Sequence, residues 1–263
     1  MPKHHAFAPL VWNLEARALM SSDVLPAAGI AEFASELRLF ANPDPATPQP
    51  LNRVSVRVSF RGAWQKADYA DLHRSMVQSL EKSRPAVVFY GDSITALWHW
   101  EGRQAWQRNL EPLGAANLGI AGDHTQSLLW RLNTGAVRTK PKVAVIMIGI
   151  NNLTHQDKPA DVARAILACV QSIRSQSPKT KVLLIGTLPT LDPLINQAVQ
   201  DLNRSLQRNA AAFGAEFLNL APKFKNSVGH IDASLFTASP HLSTRGYRRI
   251  VEPIADRIRG MLG

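Results

Sequence analysis

VVFYGDSIT, Val87 to Thr95, carries the strongest structural signal in the chain. An apolar run of β type stops abruptly at Gly91-Asp92-Ser93 and passes straight into helix-compatible sequence. A buried strand that ends this way delivers one serine to its carboxyl end, which is where open α/β sheets bind and react with ligands. Taken alone, Gly-Asp-Ser also describes an ordinary turn, so its meaning depends on what else the chain supplies.

Three further segments supply the other parts. AANLGIAGD, Ala115 to Asp123, is a short apolar run broken by Gly119 and Gly122, which allow a tight turn that presents backbone N–H groups. VAVIMIGINN, Val143 to Asn152, places a side-chain amide where a third buried strand should stop. SPHLSTRGY, Ser239 to Tyr247, sets His241 in a loop just before a C-terminal helix. A serine, backbone N–H groups, an amide and an imidazole are the nucleophile, oxyanion donors and general base that acyl transfer requires.

With these blocks in view, the chain resembles the SGNH (GDSL-type) hydrolase family. The motifs GDSIT, NLGIAGDHTQSLLWRLNTG, KPKVAVIMIGINN and HLSTRGY are most similar to the branch containing the catalytic subunits of type Ib platelet-activating-factor acetylhydrolases. The resemblance spans roughly residues 84–262 and implies a three-layer α/β/α sandwich around a parallel, flavodoxin-like sheet of five strands. It implies Ser93 as nucleophile and His241 as its base. The N–H groups of Ser93 and Gly122, with the Asn151 amide, would form the oxyanion hole. It further implies a homodimer and a reaction without cofactor or metal.

One position departs from the family pattern. The triad aspartate is expected three residues before the histidine, and the chain has Ala238 there. Alanine neither accepts the His241 Nδ1–H bond nor stabilises an imidazolium. Three accounts compete: an engineered Asp→Ala change, an enzyme that uses another orienter, or an inactive relative. The other intact blocks favour an engineered change or a weakened Ser–His pair. Asp232 is the nearest upstream carboxylate and a candidate substitute, as is a backbone carbonyl.

The composition fits an α/β enzyme. The 263 residues are 45% apolar and 19% charged, enough for one large core and unlike either a disordered or a membrane-embedded chain. No apolar run approaches the roughly 18 residues of a spanning helix. MPKHHAFAPL lacks a secretory apolar region, so the chain reads as cytoplasmic, or as secreted or organellar if a targeting peptide was removed. The single cysteine, Cys169, excludes an internal disulfide, and no Cys/His cluster has metal-ligand spacing. The net charge of +10 raises an anionic-polymer partner as a third-ranked reading. The arginines of the last helix alternate with Glu252 and Asp256, and there is no nucleic-acid module. A solvated basic face and no nucleic-acid partner are therefore expected.

Residues 1–83 read as an N-terminal extension and 84–263 as the hydrolase domain. Within the extension, Ala31–Phe40 has a helical pattern, Asn42–Leu51 is a linker with four prolines, and Arg53–Phe60 alternates as a half-exposed strand. A helix is expected over Asp68–Lys82. Further strands are expected at Val87–Tyr90, Ala116–Leu118, Val143–Ile148, Lys181–Gly186 and Glu216–Leu218. Helices are expected near Gln104–Leu110, Thr125–Asn133, Ala160–Ser175, Leu194–Phe213 and Thr244–Met261. Continuous apolar strands of this kind are buried on both faces, as in a parallel sheet between helical layers.

These readings converge on a serine esterase or acetylhydrolase for short-chain, acetyl-type esters of a small molecule, carbohydrate or lipid, weakened by Ala238. Asp92, Trp98 and Leu188 are candidate pocket residues. The alternatives are a carbohydrate O-acetyltransferase on the same site and a non-catalytic ligand-binding relative.

Overall fold

The computed structural model describes residues 66–263. The N-terminal helix, proline-rich linker and alternating strand expected above lie outside those residues. Five strands form one parallel sheet: β1 (Val87–Gly91), β2 (Ala115–Gly119), β3 (Val143–Met147), β4 (Lys181–Ile185) and β5 (Ala215–Leu218). Their order is β2-β1-β3-β4-β5, the flavodoxin-like arrangement. Each begins and ends within a residue of its expected span. β1 and β3 are buried at every position, which is why they read as unbroken apolar runs.

The register determines where the site forms. Gly91, at the end of β1, pairs with Gly119 of β2 and Met147 of β3. All three chains therefore leave the sheet at the same edge. The loops bearing Ser93, Gly122 and Asn151 start there.

The helices are α1 (Lys66–Ser83), α2 (Ser93–Ala96), α3 (Arg103–Asn109), α4 (Thr125–Arg131), α5 (Ile150–Thr154), α6 (Pro159–Gln176), α7 (Pro193–Asn209) and α8 (Thr244–Leu262). They flank the sheet and close an α/β/α sandwich. α6 and α7 begin with proline, whose missing N–H costs nothing in the first turn. α8 is capped by the Ser243 hydroxyl, which accepts from Gly246 N. Its Tyr247, Ile250, Ile254 and Ile258 form a buried stripe at helical spacing.

Several boundaries differ from expectation for local reasons. The pattern expected to run as helix to Asn133 stops at Arg131 and widens into a π-type turn, Leu132–Ala136, where Gly135 takes φ +127°. The helix expected to reach Phe213 ends at Asn209 and tightens into a 3₁₀ turn that stops at left-handed Gly214. His241, expected in a loop, lies in a short strand. β6 (Phe236–Ala238) and β7 (His241–Leu242) pair antiparallel, with Ala238 opposite His241. Two backbone segments returning toward α8 satisfy each other's polar groups in this way.

α1 falls within the stretch the sequence reading gives to the extension. It packs on the sandwich, with Leu80 in the common core and Tyr69 and Val77 buried.

Candidate active site

β1 ends at Gly91 because nothing larger fits. A Cβ there would lie 2.1 Å from Thr95 Oγ1 and 2.3 Å from the Met147 carbonyl oxygen. Asp92 then takes extended backbone, and its carboxylate accepts from Ile94 N at 2.9 Å, starting α2. Ser93 is the first residue of that helix. α2 lies against β2, where a Cβ on Gly119 would come within 2.3 Å of Ala96 N. Asn117 fastens the contact by donating to Thr95 O and accepting from Gly119 N, both at 2.8 Å.

His241 reaches the serine from the other end of the chain. Tyr247 of α8 donates to the Ile94 carbonyl at 2.6 Å, so α8 is tied to the residue after Ser93. This connection brings His241 Nε2 to 2.9 Å from Ser93 Oγ across 148 residues of sequence. Nε2 accepting the hydroxyl proton requires a neutral ring with its hydrogen on Nδ1. Burial lowers the His241 pKa below its usual value, and the Glu101 carboxylate partly opposes this.

Gly122 has φ +81°, a turn that disfavours any side chain. The Asn151 amide donates to the Asp123 carbonyl at 2.8 Å, joining the β3 exit to the β2 exit. Asn152 strengthens that connection by accepting from Thr125 N at 3.0 Å and donating to Asp157. Ser93, Gly122 and Asn151 thus stand on neighbouring exits of one sheet edge, and His241 meets Ser93 there from β7.

Below them lies a buried polar network. The Arg131 guanidinium pairs with the Asp123 carboxylate and donates to Leu118 O at 2.7 Å and Gly91 O at 3.1 Å. Tyr69 OH donates to the other Asp123 oxygen at 2.7 Å. Sequence reasoning missed this network. The available signal was a charge in the middle of the apolar run LLWRL.

Other candidates stand elsewhere. Ala238 is exposed, and among the described residues no hydrogen bond reaches His241 Nδ1. Asp232 accepts from Ser234 N and Oγ and lies 3.7 Å from Arg245, so its oxygens serve a local turn and a surface cation. Trp98 does not form a pocket wall. It is 1% exposed and packs between Trp106 and Tyr247, filling the space beneath α2. Leu188 is likewise a core residue, and Asp92 is buried as a helix cap. Trp100, two residues beyond Trp98, is the exposed aromatic of this segment at 67%. Among the described residues no cluster of three or more His, Cys, Asp or Glu could hold a metal ion, and no helix is long and apolar enough to cross a membrane.

Comparison with known proteins agrees with the fold. An acylhydrolase structure from Bacteroides fragilis superposes with a TM-score of 0.62 at 23% identity, covering 74% of this chain and 99% of that one. A catalytic mutant of an acetylxylan esterase from Geobacillus stearothermophilus gives 0.56 at 20% identity, covering 67% and 94%. In sequence, the human platelet-activating factor acetylhydrolase IB subunit alpha1 is 36% identical over 203 residues, 74% of this chain and 84% of that protein. The human alpha2 subunit is 32% identical over 195 residues, 72% of this chain and 83% of that protein. Residues 89–249 match the GDSL-like lipase/acylhydrolase family, and with that match, the parallel sheet and the serine at the end of β1, the chain belongs to this family of acylhydrolases.

Proposed function

We propose that the protein is a serine esterase that removes short acyl groups, acetyl foremost, through an acyl-enzyme on Ser93. The observation that carries this reading is the 2.9 Å approach of His241 Nε2 to Ser93 Oγ at the exit of β1. As the ester carbonyl is attacked, the Ser93 proton passes to Nε2 and the carbonyl electron pair moves onto oxygen. The backbone N–H groups of Ser93 and Gly122 and the Asn151 amide receive that oxyanion. A single side-chain donor of this kind contributes about 2.7–4 kcal/mol in a serine hydrolase. The alcohol leaves with the proton from Nε2, and water, activated by the same imidazole, releases the acid. The acetyl preference rests on the name of the sequence relatives, acetylhydrolase subunits.

Hydrolysis of p-nitrophenyl acetate by the native protein, Ser93→Ala and Ala238→Asp tests the assignment. Activity that Ser93→Ala abolishes supports it, and activity indifferent to that change refutes it. A new ester formed when acceptor sugars are added would make the enzyme an acyltransferase on the same site. A second reading, a ligand-binding relative without chemistry, is favoured by Ala238, since loss of the triad carboxylate costs roughly 10⁴-fold in turnover in the best-studied serine proteases. Tight binding of an acetyl ester with no Ser93-dependent turnover would select that reading.

A further inference from the structure

Asp123 is engaged through both its backbone and its side chain, and its backbone contacts involve two of the proposed oxyanion donors. Its carbonyl accepts from Asn151 Nδ2 at 2.8 Å. A primary amide has two N–H groups, so one is spent on Asp123 and the other remains for the oxyanion. The Asp123 N–H donates to Ile120 O at 3.2 Å and closes a four-residue turn. Gly122 is the third residue of that turn, and its φ of +81° is what a type II turn demands there. The position of Asp123 therefore sets the positions of both donors.

The Asp123 side chain is held from two sides. Arg131 donates from Nε and Nη2 to Oδ2, and Tyr69 OH donates to Oδ1 at 2.7 Å. All three side chains are buried. Arg131 belongs to α4, which follows the turn directly, whereas Tyr69 comes from α1, ahead of all four sequence motifs. Burial pushes the Asp123 carboxyl up, and the Arg131 charge and the Tyr69 hydrogen bond oppose that rise. The Tyr69 ring has a separate anchor in Trp130, 5.8 Å away between centroids. α1 is held further by Leu80 in the core and by His73 Nε2, 3.1 Å from Thr134 Oγ1. Removing the Tyr69 hydroxyl alone leaves those anchors in place.

We propose that Tyr69 is a positioning residue for the oxyanion hole, fixing through Asp123 the places of the Gly122 N–H and the Asn151 amide. This rests on the Ser93–His241 reading and gives α1 a part in the reaction. Tyr69 touches no reacting atom and keeps its proton throughout. The donors must already stand within about 3 Å of the carbonyl oxygen as it takes up the electron pair. Without the hydroxyl, Asp123 Oδ1 loses its donor in a buried place, a costly state that the turn relieves by moving. A displacement of about 1 Å in a positioned group can cost about 100-fold in rate.

The native chain is compared with Tyr69→Phe, Asn151→Ala, their double variant and Val77→Ala, which loosens α1 at another buried position. Tyr69→Phe is expected to lower kcat for p-nitrophenyl acetate about 10- to 100-fold, with KM within about twofold of native. The double variant should lose less than the product of the two single losses, by about threefold or more, because both changes act on one donor. Val77→Ala should keep kcat near native. An unchanged kcat in Tyr69→Phe, simple multiplication of the losses in the double variant, or an equal loss in Val77→Ala each overturns the proposal. A second readout is the NMR signals of the Gly122 backbone amide and the Asn151 side-chain amide. Both should move in Tyr69→Phe and stay near their native positions in Val77→Ala; unmoved signals in Tyr69→Phe overturn the proposal whatever happens to the rate. If Tyr69→Phe does not fold, a ring-fluorinated tyrosine at position 69, whose hydroxyl is a stronger donor, decides on the same signals. Displaced signals then support the proposal and unmoved ones overturn it. These signals need no turnover, so failure of the Ser93 reading, seen as activity surviving Ser93→Ala, is read separately.

Discussion

Arg131 and Asp123 form an ion pair in which neither side chain is more than 1% exposed, directly beneath the turn that carries Gly122. The same guanidinium donates to the carbonyls of Gly91 and Leu118, so one side chain ties the ends of β1 and β2 to the loop above them. Burial alone would lower the Arg131 pKa, but the charges and hydrogen bonds of Asp123 and Tyr69 together offset it and hold the guanidinium above its ordinary value. Removing one partner of such a pair leaves a bare charge in the core. Arg131→Met is expected to destabilise the fold by about 3–5 kcal/mol. Arg131→Lys should recover only part of this, because an ammonium does not reproduce the planar fork. Urea unfolding of the two variants measures both values, and equal stability of native and Arg131→Met would refute the account.

The Gly91 position is sterically closed. A methyl group there meets Thr95 Oγ1 and the Met147 carbonyl, and the latter is backbone that cannot rotate away. Gly91→Ala should cost about 1–3 kcal/mol, and it should also lower kcat, because α2 and Ser93 move with Thr95. Stability and turnover should fall together. A stable, fully active Gly91→Ala would show that the strand exit relaxes freely.

Asp92 makes the fold sensitive to pH. Burial pushes its carboxyl up to about 7 from an ordinary 3.8. Between these values the folded chain holds a proton that the unfolded chain has released. Stability from this group is therefore greatest below about pH 4, declines toward pH 7, and is constant above it. The slope approaches 1.4 kcal/mol per pH unit, a limiting estimate for one proton. Asp92→Asn keeps an oxygen to accept from Ile94 N and should remove that decline. Unfolding midpoints from pH 4 to 8 for the two proteins give the difference curve; a flat difference would rule out a raised Asp92.

A pair of histidines links the two exits that carry the proposed oxyanion donors. His124 Nδ1 lies 3.1 Å from the Gly122 carbonyl and its Nε2 lies 3.3 Å from His155 Nδ1, which in turn is 2.7 Å from the Asn151 carbonyl. His155 is exposed, so replacing it separates geometry from folding. His155→Ala should leave stability within about 0.5 kcal/mol of native while lowering kcat severalfold at unchanged KM. Native kinetics in this variant would mean that the exits hold their positions without the pair.

The sheet was readable because its strands are short, apolar and enclosed by helices, so each announced itself as a continuous run next to a glycine, and the order of the motifs identified the edge on which Ser93, Gly122 and Asn151 stand. Ser93, Gly122, Asn151 and His241 were all readable as well, from residue type at a strand exit or before a capped helix. The strand pair around His241 was not, since Phe236–Ala238 and His241–Leu242 are too short to carry a period. Trp98 was misplaced because an aromatic next to a nucleophile looks the same in sequence whether it faces a ligand or, as here, Trp106 and Tyr247.

Periodicity and turn chemistry are local, so the amino-acid order determined the five strands, their exits and the residue types waiting there. Which polar groups meet is a long-range matter. Ser93 and His241 are 148 residues apart and Tyr69 and Asp123 are 54 apart, and no local pattern encodes either contact. Only the docking of α8 and α1 onto the sheet brought those groups within hydrogen-bond distance, because burying their apolar faces carried the polar atoms between them out of water, where they must pair with one another.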